Sequence, residues 1–253
     1  MQFGVVFSIL LAVNMLPNPV RAECTVPEDP DPVIIASGFN WPHVGPNGTG
    51  AFAGLMKEAF CRIGRKAVVV KMPTARAILQ AQAGMVFGDG PRRWSLAAQY
   101  GSLMLQQPAL YDLKFYAFSI KPHSDIKTYS DLRSYRVGSV IGRKSVEASL
   151  TAVLEDFTLA STGSLAFRQL KAGRIDVVVL DEFAGLHFAK EAGIETIHGA
   201  LLEMHPFHLL VHTSHQDVMP TLAKTLRQMQ ADGTSNMITE KYLIREGVTL
   251  IED

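Results

Sequence analysis

The stretch Gly173 to Glu182, reading GRIDVVVLDE, constrains this chain more than any other. Four consecutive apolar residues, Val177 to Leu180, stand between two carboxylates and follow the helical-looking segment SLAFRQLKAGR. A short, β-branched, uncharged run after a helix reads as a strand buried on both faces of a parallel sheet. Asp181 then falls at the carboxyl end of that strand, where open α/β sheets gather their ligand groups. No catalytic motif follows it, so the acid points to capture of a cationic group.

The rest of the chain keeps the same alternation. Strands are predicted at VIIAS (33–37), Ala67 to Lys71, MVFG (85–88), KFYAFSI (114–120), RVGSVIG (136–142) and HLLVHT (208–213). Helices are predicted over Ala51 to Ile63, TARAILQAQ, KSVEASLTAVL (144–154), FRQLKAG, FAGLHFAKEAG, Met219 to Asp232 and Asn236 to Ile244. The segments FNWPHVGPNGTG (39–50) and DGPRRW read as loops, and Ser130-Asp-Leu as a turn of helix. Strands separated by helices imply parallel sheets with right-handed crossovers, in one large α/β domain or in two lobes. The Rossmann fingerprint and the phosphate loop are both absent, which argues against a nucleotide cofactor.

Lys plus Arg and Asp plus Glu both number 24, so no basic excess marks a nucleic-acid surface. The first residues, MQFGVVFSILLAVNMLPNPVRA, have the pattern of a cleaved signal peptide over 1–22. The apolar run Phe3 to Leu16 is shorter than the ~20 residues that span a bilayer, and Pro17 and Pro19 break it. A buried N-terminal helix is the alternative. The expected product is an exported, periplasmic protein. In an oxidising compartment the only two cysteines, Cys24 and Cys61, read as one disulfide; two free thiols are the other possibility.

The order of these pieces resembles the family 3 periplasmic solute-binding proteins, the receptors of polar amino-acid ABC importers. The matching residues run from about Val33 to Tyr242: FNWP, AFAGLMKEAFCRIG, PTARAILQAQAG, GPRRWSLAAQYG, IKTYSDLRSYRVGSVIG, LKAGRIDVVVLDE and QMQADGTSNMITEKY. The resemblance implies a two-lobed periplasmic binding protein-like fold of type II, each lobe a mainly parallel sheet flanked by helices. Lobe 1 would comprise 23–120 plus 209–253 and lobe 2 would comprise 121–208, with FYAFSIKP and HLLVHTS as crossovers. It implies a monomer that captures a small amino acid or carboxylate between the lobes for an ABC permease, with no cofactor and no catalysis.

The same resemblance assigns the ligand groups. Arg93 matches the carboxylate-binding arginine, a planar and permanently charged donor, with Arg92 as its competitor. Asp181 matches the acid for the ammonium, Gly142 the turn whose amide helps hold the carboxylate, and Trp41 the aromatic over the ligand. Arg143 and Lys144 stand where the family carries small hydroxyl residues, with Ser145 one step later. Those extra cations favour a second acid on the ligand or point to solvent. Val86 and Phe87 replace another usual acid, which opens the ligand class. Arg76 is a further cleft candidate.

Blander readings accompany each residue. Arg93 and Arg76 could be surface charges, Asp181 an ordinary helix cap, and Trp41 a plug beside Pro42. His205, His208, His212 and His215 cluster, but on a strand His208 and His212 lie ~13 Å apart, too far to share a metal. Two other functions compete with transport. A dehydratase on the same fold would have Glu182 and His187 as its nearby proton donors. A partner-binding protein for a membrane sensor would have a cleft whose ligand groups are lost or closed.

Overall fold

The computed structural model describes Cys24, residues 31–243 and residues 247–253. The expected signal peptide over 1–22 lies outside these residues. Their strands form one sheet in the order Ala67–Lys71, Val33–Ser37, Gly88–Arg93, Thr196–His212, Tyr111–Ser119, Val177–Asp181, Val137–Val140 and Thr158–Ala160, with Leu103–Leu105 and Thr249–Glu252 also pairing to Thr196–His212.

The first lobe is built from β1 (Val33–Ser37), α1 (Ala51–Arg62), β2 (Ala67–Lys71), α2 (Thr74–Gln82), β3 (Gly88–Arg93), α3 (Trp94–Ala97) and β4 (Leu103–Leu105). Strand β1 pairs in parallel with β2 and β3, as two-face burial of VIIAS requires. Helix α1 buries Phe52, Leu55, Met56 and Phe60 against this sheet, while Leu222, Leu226 and Met229 of α7 (Met219–Ala231) close the same core. Cys61 on α1 is bonded to Cys24, with Cα atoms 6.0 Å apart.

The second lobe holds β6 (Val137–Val140), α4 (Lys144–Thr151), β7 (Thr158–Ala160), α5 (Gly163–Lys171), β8 (Val177–Asp181) and α6 (Glu182–Glu191). All five residues of β8 are buried, as its uncharged run predicts. Strand β6 pairs in parallel with β7 and β8. Residues on one face of this lobe's sheet pack with Phe167, Ala184 and Leu186, and those on the other with Leu132, Val146 and Leu150.

Two strands pass between the lobes. β5 (Tyr111–Ser119) pairs antiparallel with β9 (Thr196–His212), from Tyr111 opposite Phe207 to Ser119 opposite His198. The sequence predicts only the last third of β9. Its earlier residues mix polar side chains with Gly199 and Pro206, and the long-range ladder to β5 decides their conformation. Likewise MVFG yields to a strand that starts three residues later: β3 begins at Gly88 and continues through residues expected as a loop. There β9 comes close enough that a Cβ on Gly88 would meet the Leu210 carbonyl oxygen, and a register shift between Asp89 and Arg92 absorbs Gly90 and Pro91.

Helix α8 (Thr234–Tyr242) packs on α1. The final strand β10 (Thr249–Glu252), expected with lobe 1, instead pairs with β9 from Thr196 to Gly199, and Val248 and Leu250 join the lobe 2 core. The apolar pattern of VTLI suits either edge; β9 is the ladder it meets after α8.

One ion pair gives a pH prediction. At the start of β6, the Arg136 side chain binds both oxygens of Asp176 and its backbone N–H donates to Oδ2 at 2.9 Å. These hydrogen bonds lower the Asp176 carboxyl to about 2. A depressed carboxylate contributes stability above its unfolded value of about 4 and loses it as pH falls through the folded value. The pair is half open to solvent, so less than about 1 kcal/mol is involved. Asp176→Asn is expected to flatten unfolding free energy between pH 4 and 2 and to leave the pH 7 value within about 1 kcal/mol, read by urea titration.

Candidate functional site

Asp181 ends β8 and begins α6 at once. Its Oδ1 accepts the Ala184 N–H at 3.0 Å, an ordinary N-cap bond. The same oxygen lies 3.3 Å from Nε2 of His43, which belongs to the loop after β1 in the other lobe. Both side chains are fully enclosed, at 1% and 0% exposure. His43 Nδ1 is 3.0 Å from the Tyr111 hydroxyl, at the start of β5, and the two rings stack with centroids 5.8 Å apart. An ionised Asp181 accepts from Nε2–H, and Nδ1 then accepts a hydrogen bond donated by the Tyr111 hydroxyl. The contact joins the two lobes.

Burial works against the charge on Asp181. The His43 hydrogen bond, the positive Arg143 and the Ala184 N–H outweigh it, and hold the carboxyl below its ordinary value. Burial, followed by the negative Asp181, pushes the Tyr111 hydroxyl well above its usual value. Around the pair, Phe39 meets His43 edge-on at 5.2 Å and Phe207 at 5.8 Å, and Phe183 meets His43 at 6.5 Å.

Arg143 caps α4 and reaches back over this cluster. Its Nη1 is 3.6 Å from Asp181 Oδ2 and its guanidinium carbon 5.6 Å from the Phe39 ring centre. Oδ2 is buried with no hydrogen-bond partner. Arg143 and Asp181, both expected as ligand groups, are therefore brought together.

The other expected residues are placed elsewhere or already engaged. Arg93 forks onto both oxygens of Glu203 and lies 4.9 Å above the Phe115 ring. Tyr129 and His205 bind the same Glu203, whose burial is outweighed by Arg93 and these donors, so its carboxyl is lowered. Arg92 donates from Nε to Asp89 at 2.6 Å, and both are buried. The Gly142 N–H donates to Glu147 of α4 at 2.6 Å, and Lys144 binds that same carboxylate. Gly142 has φ +89°, a left-handed turn that favours glycine. Trp41 packs edge-on with Tyr242 at 5.9 Å and with His187 of α6 at 6.4 Å. Ser145 and Arg76 are exposed.

Sequence reasoning missed His43, Tyr111 and Glu203. His43 stands two residues after Trp41 in the loop already expected to face the cleft, which was the available signal. Glu203 lies in the half of β9 that has no strand signature. Among the described residues no group of three metal-binding side chains is present. No helix there is long and apolar enough to cross a membrane.

The fold has counterparts among solved structures. The ligand-binding core of GluR0 in complex with L-glutamate superposes with a TM-score of 0.72 at 14% identity, over 84% of this chain and 98% of that one. The fold is that of the two-lobed periplasmic binding proteins. An ancestral arginine-binding protein bound to glutamine matches this binding-protein fold at TM-score 0.63 and 22% identity, over 83% and 96% of the two chains. A histidine kinase sensor domain with similarity to periplasmic binding proteins matches at 0.66 and 16%, over 84% and 96%. No family model matches the sequence, and no curated protein matches it. At such identities the likeness carries the fold, and the function rests on the residues.

Proposed function

We propose that this chain is an exported solute receptor that holds a small amino acid or carboxylate between its lobes, without turnover, and delivers it to an ABC permease. The observation that supports this reading most is Asp181: fully buried at the lobe junction, ionised, and with one oxygen lacking a hydrogen-bond partner. A buried charged acceptor left unsatisfied is costly, and a ligand donor removes that cost. The two binding-protein neighbours named above carry glutamate and glutamine. Ligand spanning both lobes would favour the closed state by its differential affinity.

A second reading is favoured by a different observation. Arg93, Gly142 and Asp181 Oδ1 all have internal partners, the pattern expected of a partner-binding protein for a membrane sensor. A thermal-shift panel of the twenty amino acids, dicarboxylates and amines separates the two. Ligand at ~100 times its dissociation constant contributes ~2.7 kcal/mol, a shift of roughly 5–10 °C for a chain of this size. A hit on the wild type that Asp181→Asn abolishes supports solute capture. A panel with no hit overturns it in favour of the partner-binding reading.

A further inference from the structure

We infer a second ligand site on the first lobe, one that takes a small neutral aromatic molecule carrying a hydroxyl group, of which phenol is the simplest. An open-sided cavity of about 460 Å³ lies against β9 and is lined by Trp94, Leu105, Gln107, Ala109, Pro206 and His208. That volume falls within the ~300–1,000 Å³ of small-molecule sites. None of the six residues takes part in the His43–Asp181 junction. The site therefore goes beyond the solute-binding reading and stands without it.

Trp94 supplies the aromatic surface. It opens α3 directly after β3 and is 60% exposed. Among the described residues its indole has neither a hydrogen bond nor a ring contact. Leu105, Ala109 and Pro206 add apolar surface around it. A flat ring laid on the indole takes this exposed face out of water and gains the attraction between aromatic rings.

His208 supplies the polar contact. Its ring is buried, and its Nδ1–H donates to the Gln106 carbonyl oxygen at 3.1 Å. Burial lowers its pKa against the opposing effects of that carbonyl and of Asp112, so the ring is neutral at pH 7. With the proton on Nδ1, Nε2 carries a lone pair, and no hydrogen bond reaches it among the described residues. Arg92 stands opposite His208 in the β3–β9 register, so the two side chains share one face of the sheet. Its Nε is engaged by Asp89, while its Nη2 is buried without an acceptor. An acceptor at Nε2 and a donor at Nη2 thus remain unused beside an apolar surface.

The ligand class follows from these groups. A hydroxyl donates its proton to Nε2 and leaves its oxygen free to accept from Arg92. A ring without one leaves both nitrogens unsatisfied. Only neutral side chains line the cavity, and Arg92 is already balanced by Asp89, so a charged guest loses water without gaining a counter-charge. Asp112 and Lys114 of β5, opposite Pro206 and Met204, lie further along the same face and offset each other.

Titration of the purified chain with phenol tests the site, read from the indole N–H signals of its two tryptophans, Trp41 and Trp94, in ¹H–¹⁵N NMR spectra. Trp94→Phe assigns the two signals. Anisole is the second probe, because it keeps the ring and the oxygen but has no O–H to donate. A saturable shift of the Trp94 signal is expected with phenol, the Trp41 signal staying in place, and binding of anisole about tenfold weaker. His208→Phe, first shown to unfold within a few degrees of the wild type, is expected to bind the two probes alike. No saturable shift of Trp94, or a shift of Trp41 alone, overturns the site. Equal binding of phenol and anisole by the wild type overturns the recognition of a hydroxyl, and a preference for phenol retained by His208→Phe overturns the role of Nε2. A Trp94 signal that moves with protein concentration in the absence of phenol overturns the inference in favour of a face that pairs with a second copy of the chain.

Discussion

Replacing Asp181 with alanine is expected to destabilise the protein by about 3 kcal/mol, one of the two largest effects of a single change predicted for this chain. Three losses contribute. The Ala184 N–H at the start of α6 loses its cap, worth about 1 kcal/mol. His43 Nε2–H is left buried without an acceptor, at about 1–3 kcal/mol. Arg143 loses its one opposite charge. Against these stands the relief of having buried a carboxylate at all, the largest influence on Asp181 and the reason the sum stays near 3 rather than 5 kcal/mol. Asp181→Asn separates the parts, because its amide oxygen still accepts from Ala184 and His43, and about 1 kcal/mol is expected there. The sign of the pH dependence follows from the depressed carboxyl. Its contribution is present above the unfolded value of about 4 and is lost as pH falls through a lower folded value. In urea titrations the wild type should therefore lose stability below pH 4 more steeply than Asp181→Asn. Equal acid limbs would show that the Asp181 carboxyl is not lowered in the folded protein.

Opening the Cys24–Cys61 bond is expected to cost roughly 4 kcal/mol, by the loop-closure estimate for cysteines 37 residues apart. Cys61 sits on α1, whose Phe52, Leu55, Met56 and Phe60 are central to the lobe 1 core. A bond there restricts the unfolded chain and ties residue 24 to a helix of the lobe 1 core. Cys61→Ser should lower the urea midpoint under oxidising conditions, and added reductant should lower the wild type to the same point. A wild-type midpoint indifferent to reductant would mean that the bond adds nothing to folding.

Much of this architecture was legible because local pattern and long-range packing agree. Val177 to Leu180 reads as a doubly buried strand and is one, and the helices predicted over Ala51 to Ile63, TARAILQAQ and Met219 to Asp232 fall within a residue or two of α1, α2 and α7. Legibility fails where partners distant in sequence decide. Gly90 and Pro91 read as a loop, yet pairing with β9 makes a bulged strand of them. His43 and Asp181 are 138 positions apart, and Arg93 and Glu203 are 110 apart, so neither link leaves a periodic trace. The engagement of Gly142 is the exception. Glu147 follows it by five residues, and a carboxylate in the first turn of a helix is a familiar partner for amides at its start. What could not be read was that Arg93 and Gly142 had already found partners within the chain.

The most direct measurement of solute capture at Asp181 is calorimetric titration of the wild type and Asp181→Asn with the amino acid that raises the unfolding temperature most. A single saturable site of one ligand per chain is expected on the wild type, with no detectable heat of binding on Asp181→Asn. Binding of equal strength to both proteins would contradict the placement of the site between the lobes at Asp181.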